Sequence, residues 1–89
     1  MTTHFEELWE KAENLNNKED VQVSQVIEEV LLKANLYKVI DLQVNFSEAD
    51  KAAMKLQTMG EILLSLAAIS LKDNINTFEA LGLALKTRT

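Results

Sequence analysis

The sequence predicts an all-α fold, a four-helix antiparallel bundle, and three observations carry that expectation. Its 89 residues include no proline and only two glycines, so tight turns and hairpins lack their usual chemistry. Apolar residues recur every three or four positions along most of the chain, the spacing that places them on one face of a helix. Ser and Asn residues stand just ahead of these stretches, where side-chain oxygens accept the unpaired amide protons of a helix start. The length fits a single helical domain, residues 1–89.

The first helix is expected from Thr3-His4-Phe5-Glu6, which has the Thr-x-x-Glu form of a capping box. Phe5, Leu8, Trp9, Ala12 and Leu15 then form an apolar stripe, with Glu6, Glu7, Glu10, Lys11 and Glu13 on the wet side. Polar residues from Asn14 to Asp20 make a loop. A second helix is predicted from about Val21 to Asp41, with Val23, Val26, Ile27, Val30, Leu31 and Ala34 on one stripe and Leu32, Leu36 and Val39 on another. Ser47, followed by Glu48 and Asp50, caps a third helix that ends at Lys72-Asp73-Asn74. With apolar residues on two faces, the third helix is expected to be the most buried element, and Gly60 to mark a close approach of another backbone. Asn76-Thr77-Phe78-Glu79 starts a short fourth helix carrying Phe78, Leu81 and Leu85. Two doubly apolar helices expose more greasy surface than four short helices cover, which predicts a homo-oligomer, a dimer or a tetramer.

Composition removes several classes of function. Without cysteine there is no disulfide, thiolate metal site or cysteine nucleophile. Nine basic against fourteen acidic residues give a net charge of −5, which opposes nucleic-acid binding by phosphate neutralisation. The most apolar stretch, Ile62 to Leu71, is interrupted by Ser65 and Ser70 and falls short of the ~20 residues of a membrane span, and the acidic start does not read as a secretory signal. A soluble cytoplasmic protein, with no membrane partner, is the expectation. His4 is the one histidine and lies at a helix start, and Gly60 and Gly82 sit inside helical patterns, so neither a histidine-driven nucleophile nor a phosphate loop is in view. Carboxylates on core-facing helical positions are the remaining chemistry, since they hold hard cations such as Mg²⁺.

Two places qualify: Ile27-Glu28-Glu29-Val30-Leu31-Leu32 and Thr58-Met59-Gly60-Glu61-Ile62-Leu63-Leu64. Together with the following D-N-I-N-x-x-E-A-L, these segments resemble the MazG-like all-α nucleoside triphosphate pyrophosphohydrolases over about residues 21–86. The resemblance implies an oligomeric helical bundle in which an E-x-x-E pair and an E-x-x-D pair hold Mg²⁺ and a nucleoside triphosphate, and water attack releases pyrophosphate. Carried onto this chain, Glu29 takes the first acid of the first pair and Glu61 the last acid of the second, as catalytic and metal-binding residues. Thr58 and Ser65 are their hydrogen-bonding neighbours on the ligand. Leu32 and Thr58 stand where the other two acids belong, so this chain departs from the pattern at half of it, which weakens Mg²⁺ binding and implies weak or lost hydrolysis.

The same residues also read as ordinary helix surface. Glu29 has Lys33 four residues on, the spacing of an intrahelical ion pair. Thr58, Glu61 and Ser65 form one polar strip and Gln22, Gln25 and Glu29 another, and the two are expected to face each other across a polar cleft or a subunit seam. Trp9 and Tyr37 read as packing residues rather than a base-stacking platform. Two functions follow from the sequence: a divergent nucleotide-binding protein with residual or no pyrophosphohydrolase activity, or a non-catalytic helical module that binds other proteins.

Overall fold

A computed structural model of the chain describes residues 4–88, and among these it contains four α-helices and no strand. Helix α1 spans His4–Asn14, α2 Val23–Ile40, α3 Glu48–Asp73 and α4 Thr77–Thr87, with a single 3-10 turn at Lys18–Asp20. Thr3, the expected cap of α1, lies outside the described residues. The other caps form as read: Ser47 Oγ accepts from the Asp50 amide at 3.1 Å, and Asn76 Oδ1 accepts from the Phe78 and Glu79 amides. Such a cap is worth roughly 1 kcal/mol. Asn74 closes α3 in the left-handed region at φ 55°, and the amide of Ile75 reaches back to the Ser70 carbonyl at 3.0 Å. Asn17 Oδ1 accepts from the Glu19 amide and organises the turn before α2.

The α2–α3 hairpin is the frame of the molecule and its most extensive seam. Its register is antiparallel: Asp41 meets Lys55 near the hairpin end, and Lys33 meets Glu61 and Ser65 further along. Helix α1 runs alongside α3 in the same direction, with Leu8 and Trp9 near Gly60 and Leu63, Glu13 at Ser70, and Lys18 at Lys72 and Asn74. This is the up-down-up order of a bundle. Helix α4 turns back after Asn76 and makes only marginal contact with the other helices.

The core is small and made largely of small residues. Trp9, Val21, Ile40, Ala67 and Ala68 are the buried apolar residues, with Ser65 and Ser70 buried beside them. Helix α3 supplies four of these, as expected of the most buried element, but its large side chains stay partly out: Leu56 is 78% exposed and Met59 44%. Alanine and serine are buried because they let α1 and α2 approach α3 closely, while leucines at the neighbouring positions project past the seam. Gly60 corrects the expectation placed on it. A methyl group there would meet nothing within 4 Å, so within this chain no backbone comes near.

The accessible surface is 6997 Å², against about 5,200 Å² for a folded monomer of 10.0 kDa. The radius of gyration, 15.2 Å, likewise exceeds the ~12 Å of a closely packed chain of this length. Leu31, Leu32, Leu36, Leu42, Val44 and Leu56 all face outward. Helix continuity also revises the membrane reading. The apolar stretch belongs to a 26-residue helix whose most apolar 18-residue window has a mean hydropathy of 1.2, so α3 is long and apolar enough to cross a bilayer by length and composition. Core helices of soluble proteins share those properties.

Candidate functional site

Some of the polar residues singled out in α2 and α3 meet midway along the α2–α3 seam, at Lys33. Lys33 occupies the α3-facing position of the heptad that includes Val26, Val30, Tyr37 and Ile40, so its stem packs in the seam and its ammonium emerges beside α3. Lys33 Nζ donates to Ser65 Oγ at 3.1 Å and lies 3.8 Å from Glu61 Oε2. Glu61 Oε1 accepts from Gln57 Nε2 at 3.0 Å, one turn earlier on α3. The partner of Lys33 is therefore Glu61 across the seam, not Glu29 along its own helix.

Thr58 takes no part in this group. Its hydroxyl donates to the Met54 carbonyl at 2.7 Å, a local bond to the helix backbone that leaves Glu61 with Lys33 and Gln57 instead. Ser65 does sit in the site, buried, but as the acceptor of Lys33 rather than as a neighbour of Glu61.

A cleft of about 460 Å³ opens next to this network, between the 3-10 turn, α2 and α3. Gln22, Gln25, Glu29, Lys33 and Ser65 all line it, so the strip read on α2 and part of the strip on α3 do share one polar cleft. Glu61 and Thr58 are not among its walls. Glu29 is exposed on the rim and Glu61 is joined to the cleft through Lys33 alone. Amide side chains, one ammonium and one hydroxyl give the cleft hydrogen-bonding capacity for a polar molecule. For Mg²⁺ the donor set is poor: among the described residues no group of three or more His, Asp or Glu side chains stands together, and a cation near Glu61 competes with Lys33.

Two further polar links were not read from the sequence. Glu13, placed on the wet face of α1, turns onto α3, where the Ser70 hydroxyl lies 3.0 Å from its Oε2 and 2.9 Å from the Ala67 carbonyl. At the hairpin end, Lys55 Nζ lies 2.7 Å from Asp41 Oδ1. This hydrogen bond holds the Asp41 carboxyl below its ordinary range and raises Lys55 above its own. Helical spacing gives a signal for Lys33, which continues the stripe of Val26 and Val30; Glu13 and Asp41 carry none, because their partners are more than a helix turn away in sequence. Comparison with protein-family models, curated proteins and solved structures finds no match for this chain.

Proposed function

We propose that this chain is a non-catalytic helical interaction module that works by assembling with copies of itself. The observation that carries this reading is the surface: the protomer exposes about 1,750 Å² more than a folded monomer of its mass, and Leu42, Val44 and Leu56 are among the large apolar residues left exposed. Stable interfaces bury about 800 Å² per partner, and monomers rarely show contiguous apolar patches of more than a few hundred Å². The net charge of −5 favours protein over nucleic acid as any further partner. The polar network at Lys33 supports the same reading. It pairs Glu61 within the fold, which gives that acid a structural task in place of a metal-binding one.

A second reading rests on the polar cleft. In it Glu29 and Glu61 are the acids left of a site that binds nucleotide with Mg²⁺, hydrolysis weak or lost, with Thr58 and Ser65 as their neighbours, as the MazG-like resemblance implies; of these Glu29 and Ser65 line the cleft and Lys33 joins Glu61 to it. A melting-temperature titration with nucleoside triphosphates and Mg²⁺ or Mn²⁺ separates the two. The module reading predicts no shift with ligand and a melting temperature that rises with protein concentration. A ligand present at a hundredfold its dissociation constant stabilises by about 2.7 kcal/mol, and a shift of that size establishes the nucleotide reading.

A further inference from the structure

We propose that the polar cleft between the 3-10 turn, α2 and α3 binds a free α-amino acid with an apolar side chain, an inference independent of the assembly reading. The volume of the cleft, about 460 Å³, is in the range of small-molecule sites, roughly 300 to 1,000 Å³. Its donors stand together. Lys33 Nζ has three N–H groups; one goes to Ser65 Oγ and one faces Glu61, which leaves the third. Ser65 is only 5% exposed and its hydroxyl accepts from Lys33, so its own proton is still to be donated and meets no acceptor among the described residues. A buried donor left in this state favours an acceptor brought from outside the chain. Ammonium and hydroxyl, 3.1 Å apart, suit the two oxygens of one carboxylate.

Glu29 lines the same cleft one helical turn before Lys33, a spacing of about 5 to 6 Å between Cβ atoms. Lys33 nevertheless turns across the seam to Glu61, and among the described residues Glu29 forms no ion pair. A carboxylate one turn away from an ammonium and a hydroxyl matches the ammonium and carboxylate that an α-amino acid carries on a single carbon. Leu15, Val26, Leu64 and Ala68 supply an apolar wall for its side chain. Charge separates this ligand from a phosphate. Asp20 and Glu29 line the cleft against Lys33 alone, whose charge Glu61 already meets at 3.8 Å, so a zwitterion enters more easily than a polyanion.

Isothermal titration calorimetry of the full chain with L-leucine, L-methionine and L-phenylalanine tests this, each variant first shown to be helical by circular dichroism. One site per chain is expected for at least one of the three. Its amide, which lacks the carboxylate, and its deaminated acid, which lacks the ammonium, should each bind at least about tenfold more weakly. Glu29→Gln and Ser65→Ala should each weaken the amino acid by about tenfold or more, whereas Glu28→Gln, outside the cleft, leaves binding unchanged. No binding of any of the three at millimolar concentration overturns the proposal, as does a deaminated acid that binds as tightly as its amino acid. A nucleoside triphosphate with Mg²⁺ that binds where the amino acids do not overturns it in favour of the nucleotide reading. The mass of the chain in solution tests the assembly reading separately, whichever of these results is found.

Discussion

The two halves of α3 differ in what covers them. From Gly60 onward the helix is flanked by α1 on one side and α2 on the other, and its buried residues, Ser65, Ala67, Ala68 and Ser70, all lie in this half. From Glu48 to Met59 only α2 lies alongside; Leu56 and Met59 face outward there, and so do Leu42 and Val44 in the adjoining turn, Val44 at 92% exposure. The comparison teaches that the small residues of α3 make its buried seam, while many of the chain's large apolar residues stay exposed.

The largest effect should come from the covered half. Trp9→Ala empties the main contact of α1 and is expected to cost about 3 kcal/mol or more. At roughly 4 to 8 °C per kcal/mol for a domain of this size, thermal unfolding should move down by about 12 °C or more. Leu56→Ala in the open half should change the melting temperature by no more than about 0.5 kcal/mol allows, since its side chain gains little from folding. Equal losses from both would erase the distinction between the halves.

Glu61→Ala comes next. Lys33 keeps its bond to Ser65, and the lost ion pair is partly solvated, so the expected destabilisation is about 1 kcal/mol or less, read by urea unfolding. A cost above about 3 kcal/mol would mark the Lys33 network as a buried one. Asn74→Gly should be stabilising by up to about 1 kcal/mol by relieving the left-handed conformation, less whatever the Asn74 contact with Lys18 supplies. A loss on that substitution shows the side-chain contact, and not the backbone, to govern the α3–α4 corner.

The smallest effect is in pH. Asp41 is lowered from its ordinary 3.8, so the stability it lends is present above that value and lost as pH falls through the lower folded one. Lys55, raised from 10.5, keeps its share below that pH and loses it as pH rises through the higher folded value. Asp41→Asn should therefore lower the melting temperature slightly in the neutral range, where that stability is present, and leave the acid end, where it is already lost, unchanged. Both groups lie at the surface, and added salt should reduce the effect.

Much of the fold was legible because it is written locally. Ser47, Asn74 and Asn76 mark helix ends through contacts within four residues, and the 3.6-residue period places Trp9, Val26 and Val30 on inward faces, though Ile27 and Leu31, read on the same stripe as Val26, stand exposed. The polar cleft was half legible: Gln22, Gln25, Glu29 and Ser65 converge, because helical spacing fixes which face each occupies. What periodicity cannot give is which of two apolar faces meets a neighbour. That is why α3 read as apolar and buried on two faces while Leu56 and Met59 stand outside, and why Gly60 read as a close approach and faces open space. Pairing across helices is equally non-local, so Lys33 read as the partner of Glu29 instead of Glu61.

The claim that this protomer is one part of an assembly is tested most directly by the mass of the unmodified chain in solution. Sedimentation velocity across low to high micromolar concentration should show a dimer or larger species whose share grows with concentration. A single monodisperse species of 10.0 kDa throughout that range would contradict it.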